Sequence, residues 1–451
     1  RCAAWPLQAP RKLETKDFSD FHDHLVATNI RLPKDKDHLD NFLKKYPEDR
    51  SLHVALEMVF EGLKNVHELG SLLQIEEPVE KELLYIRNKL GVQRTLFGPQ
   101  TDEEWEIWKR SVITRLKEHF ATEAVSSDLV QSFFSRSASK GFMLFDLVSQ
   151  RYDVVATNPP YMGSRNFGAT IHTYLKDFYG EGKNDLYGAF ILRISDLLKF
   201  KGLFAMVTQQ SWLFLAQYRP LRENFLKQRH LDLLVHLGSH AFQEILGEKS
   251  NVVLFVARND TSSDDSIAIR LTALDEPLEK AQALRNACKG QNNLRYLFQQ
   301  TNFENLPGVP FAYWMPHEVY EVFSHNVPLG KYFENYNFTK TGKKARFLRY
   351  FWEAPISGRW IWLTKGGTYR KWVGNEDYKI DWSVGARIHY RNDPIGRITE
   401  EKWWYLPGVT YTTNASKGFS ARYHQGGGVF FQNNPCLSAK GVSNDFLLGI
   451  L

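Results

Sequence analysis

Cysteine is nearly missing from this 451-residue sequence, which holds only Cys2, Cys288 and Cys436. The three are scattered and odd in number, with no CxxC pair and no Cys/His cluster, so neither a disulfide framework nor a structural metal site is expected. Thiols used this sparingly suit a reducing compartment, and a cytoplasmic location is expected. No apolar run reaches the roughly 18 residues that span a bilayer. No signal peptide is read at the start either, and no membrane is expected as a partner. An excess of one charge is lacking too: 57 Lys and Arg stand against 51 Asp and Glu, for a net charge of +6. That permits a polyanionic partner without demanding one. The chain lacks an initiating Met, opening on Arg1, and it closes on the apolar run Phe446–Leu451; both ends read as cuts through a longer protein.

What is present is aromatic weight. Phe, Trp and Tyr make up 14% of the chain, with 12 Trp, and they lie densest in the C-terminal third. Hydrophobic content of 43% with 24% charged residues reads as globular, with room for two or three cores.

The patterning divides the chain into five segments. Residues 1–33 end in the short strand candidate His24–Asn29. Residues 34–150 read as a helical insertion, because Leu52, Leu56, Val59, Leu63 and Val66 repeat at spacings of four and three. Thr101 with Glu104 forms a capping-box pattern ahead of Trp105, Trp108, Val112, Leu116 and Phe120. Residues 151–260 alternate strands with helices: strand Tyr152–Thr157, helix Leu186–Phe200, strand Leu203–Val207, helix Leu221–Gln228, strand Leu231–Leu237 and strand Val252–Ala257. Such alternation predicts a layered α/β sheet. After the polar turn Thr261–Asp265, residues 261–330 read as a linker and helical region, and residues 331–451 as a β-rich domain.

The word Asn158-Pro159-Pro160-Tyr161, directly after the first of those strands, carries the chemistry. Chance produces a given four-residue word in a chain this long on the order of once in a thousand. An exocyclic aromatic amine is a poor nucleophile, since its lone pair is delocalised into the ring. Two acceptors converging on its hydrogens favour the pyramidal form with a localised lone pair. The Asn158 side-chain carbonyl and the Pro159 backbone carbonyl supply such a pair, and consecutive prolines hold φ near −65° so that both are preorganised. Tyr161 offers a flat face to a base rotated out of a duplex. No covalent intermediate is needed.

The word resembles the catalytic motif of amino-methyltransferases that use S-adenosylmethionine. Asn184–Phe190, Gly202–Leu213 and Leu237–Ala257 are similar to that family's downstream motifs. With Val66–Leu72 and the C-terminal domain, the whole resembles the large adenine-specific DNA methyltransferases of BREX-type phage-exclusion and fused restriction-modification systems. That likeness implies a partial Rossmann-like methyltransferase sheet, a helical insertion and a target-recognition domain. It implies cofactor contacts at Asn29, Asp185 and Tyr187, and a second stacking face at Phe242. The loop that binds the methionine part of the cofactor is not found, and is expected upstream of Arg1. Double-stranded DNA is the implied partner, beside other defence-system subunits. Basic residues of the C-terminal third (Lys343, Lys344, Arg346, Arg370, Lys371 and Arg422) are the candidate DNA contacts. Two other readings compete: a cytosine exocyclic-amine methyltransferase, and a DNA-binding module without turnover. A nuclease site is rejected within these 451 residues, because Asp393-Pro394 and Glu400-Glu401-Lys402 are reversed or misplaced for one.

Overall fold

The computed structural model describes residues 53–92, 129–241, 251–262, 264–331, 333–335, 338–413, 418–431, 436–439 and 443–451, with isolated positions between them. Asn29, Leu52, the Thr101/Glu104 pattern and Phe242 lie outside the described residues. The chain resolves into two compact units, Arg1–Glu321 and Val322–Leu451.

The first unit is built on a six-stranded sheet of β1 (Tyr152–Thr157), β2 (Leu198–Gln209), β3 (His230–Gly238), β4 (Val252–Arg258), β5 (Ser266–Arg270) and β6 (Arg295–Phe298). Their spatial order is β1-β2-β4-β3-β5-β6. β1 is parallel to β2 and β3 to β5, while β4 runs antiparallel to both its neighbours and β6 antiparallel to β5. The carboxyl ends of β1, β2, β3 and β5 therefore share one edge of the sheet. β4 reads Val-Val-Leu-Phe-Val-Ala, the continuous apolar run of a strand covered on both faces. It is central, with Val252, Val253, Phe255 and Ala257 fully buried. β1, by contrast, pairs on one side only among the described residues, and Val154 is 63% exposed.

Trp212 anchors the core on one face, with Phe225, Phe255 and Phe311 at ring distances of 5.5, 5.3 and 5.2 Å. Its indole nitrogen donates to Thr208 Oγ1 at 3.0 Å, so a fully buried polar group is satisfied.

The helical segment comprises α1 (His53–Leu63), α2 (Glu76–Val92) and α3 (Leu129–Ser149). The expected stripe of Leu56, Val59, Leu63 and Val66 is buried, packed with Phe142 and Phe145 of α3. Two further helices complete the layer: α4 (Ala169–Phe178) and α5 (Leu186–Leu197). Arg193 of α5 forms a buried ion pair with Glu76 of α2 and donates to the Ser71 carbonyl at 2.9 Å. Tyr179 donates to the Leu72 carbonyl at 2.7 Å. These contacts fasten the helical segment to the α/β body.

Two expectations are corrected. The helix expected to run to Phe200 stops at Leu197, and Leu198–Phe200 already belong to β2. Lys201, at φ +63°, bends that strand. Its amide donates to Asn259 O at 3.2 Å, and Asn259 N donates to Gly202 O at 2.9 Å. Residues 261–330, expected as a linker and helical region, hold helices, among them α6 (Pro277–Cys288) and the later His317–His325, but also two strands that were not expected: β5 and β6 extend the sheet on either side of α6. Ser266–Arg270 is short, with β-branched Ile267 and Ile269, and alignment beside β3 buries Ser266, Ala268 and Ile269.

The second unit is β-rich. One sheet runs in the order β13-β9-β10-β8, from β8 (Leu348–Tyr350), β9 (Trp360–Thr364), β10 (Tyr378–Asp381) and β13 (Gly428–Phe430). The other runs β12-β11-β14-β7, from β7 (Phe333–Asn335), β11 (Gly408–Tyr411), β12 (Ala421–His424) and β14 (Cys436–Ala439). Phe347, Leu363, Ile380, Trp382, Tyr390, Trp404 and Val429 form its main core. No described helix in either unit is long and apolar enough to cross a membrane.

Candidate active site

β1 ends at Thr157, in register with Met206 of β2, so Asn158 emerges at the edge where the parallel strands terminate. Open α/β sheets bind their ligands beyond that edge. Asn158 is exposed there, Pro159 is buried, Pro160 is exposed and Tyr161 is half-buried. Chain stiffness and burial of Pro159 together fix the direction in which the Asn158 and Pro159 carbonyls are offered.

The start of α5 holds the residues just beyond the motif. Leu186 N donates to Met162 O at 3.1 Å, and Ser164 N to Asn184 O at 3.0 Å. Asp185 Oδ1 accepts from Met162 N at 3.2 Å and from Tyr187 N at 3.4 Å. One buried carboxylate thus caps the helix and clasps the residue next to Tyr161. Burial pushes the Asp185 carboxyl up to about 6, although the amide hydrogen bonds favour its ionised form. Gly188 serves this geometry as well: a Cβ there would sit 2.6 Å from the Gly182 carbonyl oxygen.

Tyr161 lies edge-on to Tyr187, with ring centroids 6.2 Å apart and planes at 89°. Tyr187 is fully buried and rests against Tyr218 at 5.9 Å. The Tyr161 hydroxyl is buried without a hydrogen-bond partner among the described residues, and burial raises its pKa to about 12. The structure therefore brings together Asn158, Pro159, Tyr161, Asp185 and Tyr187. Asp185 and Tyr187 meet the motif as its supports.

Several groups at this edge carried no motif in the sequence. His236, on β3, bonds Tyr313 through Nδ1 at 2.9 Å and Gln210 through Nε2. Arg222, 1% exposed, donates to the carbonyls of Trp212, Leu215, Gly308 and Val309 and so pins the loop after β2. Lys280, 3% exposed, donates to the carbonyls of Leu237 and Ser239, at the end of β3 that leads toward Phe242. A lone histidine in an apolar strand, or a lysine on an amphipathic helix, has no chemical signature of its own. Only the fold shows what they hold.

In the second unit, Lys343, Lys344, Arg346, Arg370 and Lys371 are exposed. Arg422 is a correction: it is fully buried and cannot reach a phosphate. Its guanidinium donates to Thr412 Oγ1 at 2.9 Å, Ser420 Oγ at 3.1 Å and the Arg370 carbonyl at 3.3 Å. The Ser420–Tyr423 stretch reads as polar, but strand pairing with β11 turns Arg422 inward.

Residues 78–242 match the model of the Eco57I restriction-modification methylase family. An adenine-specific methyltransferase PglX of Lacticaseibacillus casei (strain Zhang) is 32% identical over 320 residues, covering 66% of this chain and 26% of that protein. An adenine-specific methyltransferase BrxX of Escherichia coli O9:H4 (strain HS) is 31% identical over 316 residues, covering 65% and 25%. The chain thus spans about a quarter of the length of these curated relatives. Among solved structures, a nuclease-deletion mutant of the Type ISP restriction-modification enzyme LlaGI, in complex with a DNA substrate mimic, aligns with 73% of this chain and 34% of its own. Identity there is 12% and the TM-score 0.44. The likeness to restriction-modification methylases read from Asn158–Tyr161 and its neighbours is found again by the family match, and the likeness to adenine-specific methyltransferases by both relatives.

Proposed function

We propose that this chain forms the catalytic and target-recognition portion of a site-specific DNA methyltransferase, acting on the exocyclic amine of adenine in phage defence or restriction-modification. One observation carries the reading: Asn158-Pro159-Pro160-Tyr161 stands at the carboxyl edge of the parallel strands, inside the segment that matches a methylase family. The names of both relatives favour adenine over cytosine as the acceptor.

In this reading the Asn158 side-chain carbonyl and the Pro159 backbone carbonyl accept the two amine hydrogens and localise the nitrogen lone pair. The two acceptors are set before the base arrives, so no reorganisation is required when charge develops. Tyr161 provides the stacking face, worth roughly 1–3 kcal/mol for a base. Tyr187 keeps that ring upright. Phe242 is the proposed opposite face. S-adenosylmethionine supplies the methyl group when bound. Of the residues expected to hold it, Asp185 is engaged with two backbone amides and Tyr187 is fully buried, so no step is assigned to a contact between them and the donor. Lys343, Lys344, Arg346, Arg370 and Lys371 are proposed to neutralise phosphates of double-stranded DNA. Other subunits of a defence system are proposed partners.

Nucleoside analysis of DNA from cells carrying the gene tests the reading. N6-methyladenine should appear at a defined sequence and vanish on deletion. N4-methylcytosine in its place would move the acceptor, and no methylated base at all would refute transfer to DNA.

A further inference from the structure

Gln210 directly follows β2, the strand beside β1, which ends just before Asn158. The Gln210 backbone is held on both sides: its amide donates to Asn251 O at 2.9 Å, and its carbonyl accepts from Leu213 N at 3.0 Å. Its side chain is held as well. Gln210 Oε1 is taken by His236 Nε2, and His236 Nδ1 by the Tyr313 hydroxyl at 2.9 Å. His236 is 4% exposed and Tyr313 2% exposed, so this relay is rigidly packed. An amide oxygen only accepts, so the ring hydrogen sits on Nε2 and the Tyr313 hydroxyl donates to Nδ1. Burial and the nearby Arg270 keep the imidazole neutral, with its pKa down to about 4.

With its oxygen engaged, Gln210 has its NH2 group left to offer. That group is on a half-buried residue and meets no protein acceptor among the described residues. We propose that Gln210 is a substrate-contacting residue of this site: its amide nitrogen donates to a ring nitrogen of the acceptor base, in an orientation set by His236 and Tyr313. The assignment rests on the base-methylation reading. There the adenine amine hydrogens are already claimed by Asn158 and Pro159, and the ring nitrogens are the acceptors that remain. Polar groups fixed to match substrate atoms reject analogues lacking those atoms far better than apolar contacts do.

The test uses the protein as its gene encodes it and a duplex oligonucleotide carrying the site located by methylation sequencing. The target adenine is replaced in turn by 1-deaza-, 3-deaza- and 7-deazaadenine, each of which keeps the amine. Wild-type kcat/KM should fall about 5- to 30-fold on one analogue, the loss of one well-placed hydrogen bond. Gln210→Ala should lose the same factor on adenine and nothing further on that analogue. Gln210→Glu, which keeps an acceptor for His236 but lacks the donor, should behave like the alanine variant. His236→Phe should lower kcat/KM by a similar factor, and adding it to Gln210→Ala should cost little more. Equal losses for Gln210→Ala on adenine and all three analogues would show a structural role only and overturn the assignment, as would unchanged kinetics. If the wild type methylates no adenine, the failure belongs to the functional reading, and this assignment falls with it.

Discussion

Arg193 and Arg422 are both buried arginines, one in each unit, and they are held in different ways. Arg193 meets the buried carboxylate of Glu76 and joins the helical segment to the sheet. Arg422 is held by neutral oxygens of Thr412 and Ser420 and by a backbone carbonyl, and it organises a sheet of the second unit from within. Around the motif, buried polar groups grip backbone and so hold the loop that carries Asn158–Tyr161. In the second unit, the buried cation grips its own sheet while its basic neighbours stay in solvent. A positive residue next to aromatics is therefore no guide to contact with DNA until its burial is known.

The largest expected effect lies in the first unit. Arg193→Met strands the buried Glu76 carboxylate and should cost about 3–5 kcal/mol in denaturant unfolding. A loss below about 1 kcal/mol would mean that the helical segment is not fastened there. Next comes the Asp185 clasp. Its folded pKa of about 6 lies above its ordinary 3.8, so the folded state holds the proton more tightly. Its contribution to stability is full below about pH 3.8 and is lost as pH rises through about 6. Asp185→Asn has no such linkage, so its stability should gain on that of the wild type by up to about 3 kcal/mol between pH 4 and pH 7. Parallel stability curves would show that burial does not govern this carboxyl.

Smaller effects separate the two kinds of basic residue in the second unit. Arg422→Met should cost about 2 kcal/mol of stability, through hydroxyls left unpaired, with no change in the salt dependence of DNA binding. Lys343→Ala and Lys344→Ala should each leave stability within about 0.5 kcal/mol, the norm for surface changes. Each should lower the slope of log affinity against log salt by about 0.9 if it neutralises a phosphate. The opposite pattern, a salt slope that tracks Arg422, would reverse the comparison.

Much of the fold was legible in the sequence where a local pattern decides the structure. Leu56, Val59 and Leu63 announced their helix, although Val66 of the same expected stripe opens a separate short turn of helix, and the run from Val252 to Ala257 announced its strand. The role proposed for Asn158–Tyr161 could be read from four adjacent residues, because two prolines leave the backbone little choice. Long-range pairing hid the rest. Ser266–Arg270 looks like the start of a loop until β3 is placed beside it. Arg422 looks like a surface charge until its strand pairs with β11. Gln210, His236 and Tyr313 are separated by 26 and 77 residues along the chain, and no spacing rule joins them.

The most direct test of the central claim is Asn158→Ala, introduced at the gene and read as N6-methyladenine in cellular DNA. Loss of one preorganised acceptor at the reacting nitrogen should lower methylation by at least about 100-fold, with thermal unfolding unchanged because Asn158 is exposed. Methylation within a few-fold of the wild type would contradict the assignment of Asn158 to the chemistry.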